Sequence, residues 1–249
     1  MLGIIIQARI GSSRLPRKMT IPFIGDKGIF ETIIVRLINS KITSPIVVAT
    51  TTNVEDDVLV DIAIKYGINY YRGSENNVLE RFIECGYKYG FDKIIRICSD
   101  NPFLDLNFLV NQINCFEKSN SDYWCYSLGD STPSILGHAG FWAEGVKLTT
   151  LLQVKELTRE NSNLEHVTKY IYENRNIFNI HFEKLDLNKL GLEGIRLTVD
   201  DSNDFFVAKE IFQSTNTLDV FSTQTIVDFI KSRNDLLKIM SDQILINKK

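Results

Sequence analysis

The stretch GIIIQARIGSSRLPRK at residues 3–18 decides the fold. Its opening, GIII, is a short apolar, β-branched run, which predicts a buried strand. The segment that follows, Gln7–Lys18, contains three arginines, a lysine, two serines and a glycine. So much positive charge and so many hydrogen-bond donors directly behind a first strand indicate a loop that binds a small anion.

The residue types of this loop suit phosphate. Glycine and serine allow close approach to the backbone and add hydroxyl donors, arginine binds phosphate oxygens in pairs, and lysine adds a point charge. The candidate residues are Arg9, Gly11, Ser12, Ser13, Arg14 and Lys18. The loop is not a Walker loop, because GxxxxGK[ST] is absent. A solvated basic turn is the alternative, and the position behind the first strand favours phosphate.

Composition narrows the class of protein. The chain has 249 residues, a net charge of −3 and 44% hydrophobic residues, which is typical of a soluble globular protein. Mild acidity argues against nucleic acid as the main partner. Four cysteines without a CxxC pair, no run of membrane-spanning length and no signal-peptide pattern predict a reduced, cytoplasmic protein without a membrane partner.

Short apolar runs alternate with amphipathic stretches in the first half, which predicts parallel strands with helices on both faces. In the second half we expect a helix over LEHVTKYIYENR (164–175), a strand over GIRLTV (194–199) and a last clear helix over 222–233. The turn-rich segment near 128–146 reads as an inserted arm in a single domain that spans 1–249.

Two acidic residues follow predicted strands. Asp100 comes after KIIRIC, and Asp200 comes after GIRLTV. Asp100 could be only a turn or helix-capping residue, and capping of the next helix would explain Asp201 or Ser202 but not two adjacent acids. Carboxylates from two strand ends that face one basic loop would form a Mg²⁺ site, because this ion prefers carboxylate and phosphate oxygens.

Other catalytic arrangements find no support in the sequence. His138, His166 and His181 lack metal-ligand spacing, and no nucleophile-elbow motif is present. An enzyme of this composition would act by positioning and charge stabilisation, as phosphoryl and nucleotidyl transfer require.

Five segments resemble one family in order. IIQARIGSSRLPRKM, YRGSENNVLERF, IIRICSDNPFLD, LEHVTKYIYEN and IRLTVDDSNDF are similar to motifs of the cytidylyltransferases that activate 3-deoxy-manno-octulosonate and sialic acids, and more closely to the spore coat polysaccharide biosynthesis protein F group. The resemblance implies an α/β nucleotide-diphospho-sugar transferase fold, Rossmann-like and of the GT-A type. Such a fold would have a mixed sheet with helices on both faces. The resemblance also implies that the protein binds CTP and Mg²⁺.

The resemblance also implies roles for single residues. The triphosphate would lie on Arg9, Ser13, Arg14 and Lys18, with Ala8 in the same nucleotide-binding stretch; Ser74 and Arg81 would lie near cytosine and ribose; Asp100 and Asp200 would bind Mg²⁺; Arg96, Glu165 and His166 would lie toward the acceptor. Departures from the family pattern include Arg17 for glycine, Asn77 for aspartate and Asp201 for threonine.

The function expected from these residues is transfer of CMP from CTP to an anionic sugar or phosphorylated small molecule, with release of pyrophosphate. Arg14, Lys18, Asp100 and Asp200 are the predicted catalytic residues. The pathway would supply a capsule or another surface polysaccharide, and a homodimer is expected. Two alternatives stay open: a glycosyltransferase of the same fold, or a non-catalytic nucleotide-binding homologue.

Overall fold

The structure, a computed structural model, describes residues 1–129, 131–215 and 222–247. Within these residues the strands are β1 Leu2–Gln7, β2 Ile46–Thr51, β3 Asn69–Gly73, β4 Lys93–Cys98, β5 Tyr123–Ser127, β6 Glu144–Lys147 and β7 Ile180–Lys184. The helices are α1 Ile29–Ile38, α2 Asp57–Lys65, α3 Val78–Tyr89, α4 Leu106–Lys118, α5 Leu148–Leu157, α6 Asn161–Glu165, α7 Lys169–Glu173, α8 Leu187–Leu190, α9 Ser202–Ser214, α10 Thr223–Lys231 and α11 Asn234–Ile246.

The strands form one mixed seven-stranded sheet in the order β3-β2-β1-β4-β6-β5-β7. Strand β6 runs antiparallel to both of its neighbours, β4 and β5, while the remaining pairs among the described strands are parallel. Successive connections move outward from β1 in opposite directions, to β2 on one side and to β4 on the other. This switch point opens a crevice at the carboxyl ends of β1 and β4, where ligands of α/β proteins bind.

Two hydrophobic cores cover the two faces of the sheet, as the alternating strand pattern requires. In β1, Ile4 and Ile6 face one core and Ile5 faces the other. Helices α1, α2, α4, α9, α10 and α11 pack residues into the first core, and α3, α5 and α7 pack residues into the second. The predicted fold class, with helices on both faces of a mixed sheet, is confirmed.

The strand expected over 194–199 is wrong, although the structure describes this segment throughout. Its backbone bonds to isolated partners: Leu197 N–H donates to the His138 carbonyl oxygen at 2.8 Å, and Val199 N–H donates to that of Asp100 at 2.9 Å. Because these partners belong to two separate loops, no ladder forms. The segment is an extended, buried connection that leads to Asp200.

Three further expectations need correction. The helix over 164–175 is divided into α6 and α7, with non-helical backbone at His166 between them. Helix α10 is not the last helix, because α11 follows it. Strand β7 is an addition to the predicted elements: Ile180 and Phe182 alternate with polar residues as in a half-buried strand, but the run is only five residues long.

The segment 128–146, read from sequence as an inserted arm, is described except for Asp130, which lies outside the described residues. It contains a short 3-10 turn at Ser134–Leu136 and ends in β6. Phe141, Trp142 and Ala143 are buried in the first core. This segment therefore lines one side of the crevice with its first half and completes the sheet with its second.

Candidate functional site

A cleft of about 860 Å³ lies at the carboxyl ends of β1 and β4. It brings together five of the residues singled out from sequence: Arg14, Arg96, Asp100, His166 and Asp200. Lys18 joins them, because its ammonium group lies 3.7 Å from Asp100 Oδ2. The basic loop and the two distant aspartates thus converge on one cleft.

Cations and carboxylates in this cleft pair with one another. Arg14 Nη2 donates to Asp200 Oδ1 at 2.9 Å, and its Nη1 donates to Asn247 Oδ1 at 2.8 Å. Lys18 Nζ donates to the Val199 carbonyl oxygen at 2.7 Å. The Arg14 side chain is 54% exposed, so it can exchange these contacts for those of an anionic ligand.

Asp200 is held from behind by Arg196, which sequence reasoning missed. Arg196 Nη2 donates to Asp200 Oδ2 at 2.8 Å, and its Nε and Nη2 bond to the two oxygens of Asp204 at 2.7 Å each. Burial alone raises the pKa of Asp200, but Lys18, Arg14 and Arg196 outweigh burial, so the pKa lies below its ordinary value. Asp200 is therefore a carboxylate at neutral pH.

The loop after β1 is anchored by a second missed residue, Asp56. Its Oδ1 accepts from Ile10 N–H at 2.7 Å, and its Oδ2 accepts from Thr51 N–H at 3.2 Å and from the Thr51 hydroxyl. Asp56 is 2% exposed, so these bonds satisfy a buried charge. The acidic opening of α2 was the only sequence signal, and it read as helix-dipole compensation.

The other predicted residues of this loop are placed as follows. Ser12 Oγ accepts from Leu15 N–H at 3.3 Å and so supports the turn, while Gly11 and Ser13 are exposed. Ala8 is buried, and its N–H donates to the Ala49 carbonyl oxygen at 3.3 Å, so that only its remaining backbone atoms could reach a ligand.

Arg9 contacts two glutamates from separate segments of the chain. Its guanidinium lies 3.5 Å from Glu75 Oε1 and 3.7 Å from Glu165 Oε1. Glu165 closes α6, and the following residue, His166, lines the cleft. Of this pair, His166 therefore reaches the cleft, while Glu165 contacts Arg9 outside the described wall of the cleft.

Ser74 and Arg81 lie together, but outside the wall of this cleft as far as described residues form it. Arg81 Nη1 donates to the Ser74 carbonyl oxygen at 2.9 Å. Arg81 is fully buried, and burial lowers its pKa to about 10, which excludes the alternative that it is a surface charge. In this arrangement Arg81 supports the Ser74 loop, while Asn77 caps α3 by accepting from Glu80 N–H.

Arg96 enters the cleft from a buried polar cluster that sequence reasoning also missed. Its Nη1 donates to Glu144 Oε2, and Glu144 Oε1 accepts from the hydroxyls of Tyr123 and Thr168. Burial, reinforced by Cys125 and Glu144, raises the pKa of Tyr123 well above its usual value, so the phenol stays protonated and donates. Glu144 thereby fixes Arg96 and the EHVT segment together.

The fit of these residues to Mg²⁺ follows from the chemistry of the donors. Asp100 and Asp200 supply hard carboxylate oxygens to one cleft beside the basic loop. Among the described residues no group of three or more His, Cys, Asp or Glu side chains could hold a metal ion. A site with two carboxylates suits an ion that completes its shell with phosphate oxygens and water.

Comparison with known proteins identifies the family. A family model described as Cytidylyltransferase matches residues 3–201. The chain belongs to the cytidylyltransferase family. It is 36% identical over 238 residues to an uncharacterized protein of Methanocaldococcus jannaschii, covering 96% of this chain and 93% of that one. It is 29% identical over 236 residues to the spore coat polysaccharide biosynthesis protein SpsF of Bacillus subtilis, covering 93% and 94% respectively.

Solved structures agree with this assignment. A cytidylyltransferase from Leptospira borgpetersenii superimposes with a TM-score of 0.79 at 27% identity, covering 97% of both chains. CMP:2-keto-3-deoxy-manno-octonic acid synthetase complexed with CTP shares the fold, with a TM-score of 0.64 at 13% identity, covering 86% of this chain and 98% of that one. The cytidylyltransferase is accordingly an enzyme that uses CTP for nucleotidyl transfer. None of its described helices is both long and apolar enough to span a bilayer.

Proposed function

We propose that this cytidylyltransferase transfers CMP from CTP to an oxygen of an anionic sugar or a phosphorylated small molecule, in the biosynthesis of a capsule or another surface polysaccharide. The observation that carries the proposal is the convergence of Arg14 and Lys18 with Asp100 and Asp200 in one cleft. Similarity to a spore coat polysaccharide protein supports the pathway.

In the proposed reaction an acceptor oxygen attacks the α-phosphorus of CTP in line. The new O–P bond forms as the bond between the α-phosphorus and the bridging oxygen of the β-phosphate breaks, and pyrophosphate leaves. A hydroxyl acceptor gives its proton to solvent water. Lys18 and Arg14 give up their carboxylate contacts and neutralise the charge that grows on the leaving group. Backbone N–H groups of the loop orient the phosphates.

Mg²⁺ is part of the proposal, with Asp100 and Asp200 as its protein ligands. Bound there, the ion would supply positive charge to the phosphate oxygens. Release of the two aspartates from Lys18 and Arg14 makes their oxygens available for this role. Arg9 and the Ser74 loop, supported by Arg81, lie on the proposed nucleotide side.

We assign the acceptor to the end of the cleft away from the proposed nucleotide side. Arg96, His166 and Lys169 line that end and carry or can gain positive charge, which suits a carboxylate or phosphate of the acceptor. Tyr172 and Trp142 add flat surfaces that pack against a sugar ring. An anionic sugar such as a nonulosonate, or a phosphorylated sugar or polyol, fits this combination.

The experiment measures pyrophosphate release from CTP with Mg²⁺ across a panel of anionic sugars and phosphorylated small molecules. Thermal-shift assays with CTP and with nucleotide-sugars run in parallel. Stabilisation by CTP and release with at least one anionic acceptor support the proposal. Stabilisation by a nucleotide-sugar alone indicates glycosyl transfer, and no response to any nucleotide indicates a non-catalytic homologue.

A homodimer and a cytoplasmic location complete the proposal. All four cysteines lie in described residues and are free thiols, which suits a reducing compartment. We place the dimer contact on the segment 128–146, where Leu136 is 37% exposed. Light scattering of the wild type and Leu136→Asp tests this, with loss of a dimer expected for the variant.

A further inference from the structure

Arg196 is a buried cation with partners on three segments of the chain. Its side chain is fully buried. It donates to Asp204 in α9, to Asp200 just before α9, and at 2.6 Å to Nδ1 of His138, which lies between the cleft-lining residues Gly137 and Gly140. Asp204 also accepts from the backbone N–H of Asp200 at 2.9 Å, which fixes the main chain beside the carboxylate.

The two oxygens of Asp200 consequently have different surroundings. Oδ2 points inward to Arg196, while Oδ1 bonds to Arg14 at 2.9 Å on the cleft side. The Asp200 side chain is 13% exposed. Arg196 therefore occupies one oxygen and presents the other to the cleft, in a fixed direction.

The contact with His138 fixes the protonation of that imidazole. A guanidinium has N–H donors and no acceptor, so Nδ1 of His138 must accept and its proton must lie on Nε2. The His138 carbonyl oxygen also accepts from Leu197 N–H at 2.8 Å and from Thr198 N–H at 3.2 Å. The segment 128–146 is thus joined at His138 to the segment that carries Arg196.

From these contacts we propose that Arg196 is the positioning residue for Asp200, and that His138 in the segment 128–146 holds Arg196 in place for this role. The inference rests on the proposed function, because it concerns how Asp200 receives Mg²⁺. Lysine at this position would keep the charge but lose the planar fork, which bonds Asp204 through two nitrogens and leaves Nη1 for His138.

The test compares Arg196→Lys with Arg233→Lys. Arg233 also bonds two carboxylates, Glu210 and Asp235, but on the helices α9 and α11 away from the cleft, so it controls for loss of a forked ion pair. Calorimetry measures CTP binding over a range of Mg²⁺ concentrations, with thermal unfolding of each variant recorded separately. The Mg²⁺ concentration for half-maximal CTP binding is expected to rise about ten-fold or more in Arg196→Lys and to stay unchanged in Arg233→Lys.

A double-mutant cycle distinguishes positioning of Asp200 from a general loss of structure. In an Asp200→Asn background, Arg196→Lys should add less than about two-fold to the Mg²⁺ requirement, because the residue acts through that carboxylate. His138→Ala removes one partner from a half-buried position and should give the same direction of change at a smaller size. It keeps the inference testable where Arg196→Lys does not fold.

The outcomes distinguish failure of the proposed function from failure of this inference alone. A wild type whose CTP binding is indifferent to Mg²⁺ would contradict the proposed function and this inference together. A wild type that requires Mg²⁺, with an unchanged requirement in folded Arg196→Lys and His138→Ala, would overturn the inference alone. An equally large effect of Arg196→Lys with and without the Asp200 carboxylate would also overturn it.

Discussion

Two clusters behind the cleft pair a buried arginine with carboxylates, and they differ in how far each is closed. In the Glu144 cluster (Arg96, Glu144, Tyr123 and Thr168) the carboxylate is fully buried and both of its oxygens accept hydrogen bonds. In the Arg196 cluster (His138, Arg196, Asp200 and Asp204), Asp200 turns one oxygen toward the cleft.

This difference distinguishes a carboxylate with a structural role from one that can bind a ligand. A carboxylate whose oxygens are both satisfied inside the protein can orient its neighbours but has nothing left for a ligand. A carboxylate with one oxygen held from behind and one facing a cleft can exchange an arginine for a metal ion. We therefore expect changes at Glu144 to appear mainly in stability, and changes at Asp200 mainly in catalysis.

The largest effect is expected for Asp200→Asn, and a similar one for Asp100→Asn. Each should lower kcat/KM for pyrophosphate release by about a thousandfold or more, since a charge proposed to bind Mg²⁺ is lost. Asp201→Asn is the matched control. Asp201 caps α9 by accepting from the N–H groups of Asn203 and Asp204, and asparagine caps nearly as well. Equal losses in Asp200→Asn and Asp201→Asn would contradict the assignment.

The second-largest effect is expected on the free energy of unfolding. Glu144→Gln removes the negative partner of buried Arg96 and should lower the free energy of unfolding by about 3 kcal/mol. Chemical denaturation measures this directly. Glu183→Gln, at an ion pair with His181 whose side chains are about half exposed, is the control and should change stability by less than about 0.5 kcal/mol. A Glu144→Gln variant as stable as wild type would erase the contrast between the clusters.

A pH titration sharpens the comparison further. The pKa of Asp200 in the folded protein lies below the ordinary value near 3.8, so its ionised form stabilises the fold. This contribution is fully present above the unfolded pKa and is lost as the pH falls through the folded one. The stability difference between wild type and Asp200→Asn should be constant above about pH 5 and shrink below about pH 4. A difference that stays constant down to pH 3 would exclude this ionisation as its source.

Much of the fold could be predicted from local pattern, because the deciding signals are local. GIII and KIIRIC form the parallel strands β1 and β4 that their apolar runs indicate. The turn chemistry after β1 and β4 placed Lys18 and Asp100 at neighbouring strand ends, where the structure brings them together. Convergence at a switch point follows from topology once the strands are known to be parallel.

The two clusters could not be predicted in this way, because their members meet only through tertiary structure. Glu144 lies on β6, which inserts antiparallel between β4 and β5, and no local pattern of FWAEG shows this. In GIRLTV, alternation places Arg196 on the face opposite Leu197, toward solvent in a half-buried strand. The segment is instead buried on both sides, so Arg196 required buried partners from His138 and Asp204.

The smallest effect is expected outside both clusters, at Arg17 in the basic loop. This residue has φ of +60°, a left-handed conformation that favours glycine, which is the residue that stands there in the family pattern. Arg17→Gly should raise the free energy of unfolding by about 0.5–1 kcal/mol, because it relieves the backbone. Arg17→Ala removes the same charge without relieving the backbone, and it should not stabilise the protein. Chemical denaturation of both variants separates the causes, because equal stabilisation would assign the effect to charge. A kcat/KM within about three-fold of wild type in both variants would show that Arg17 lies outside the chemistry proposed for Arg14 and Lys18.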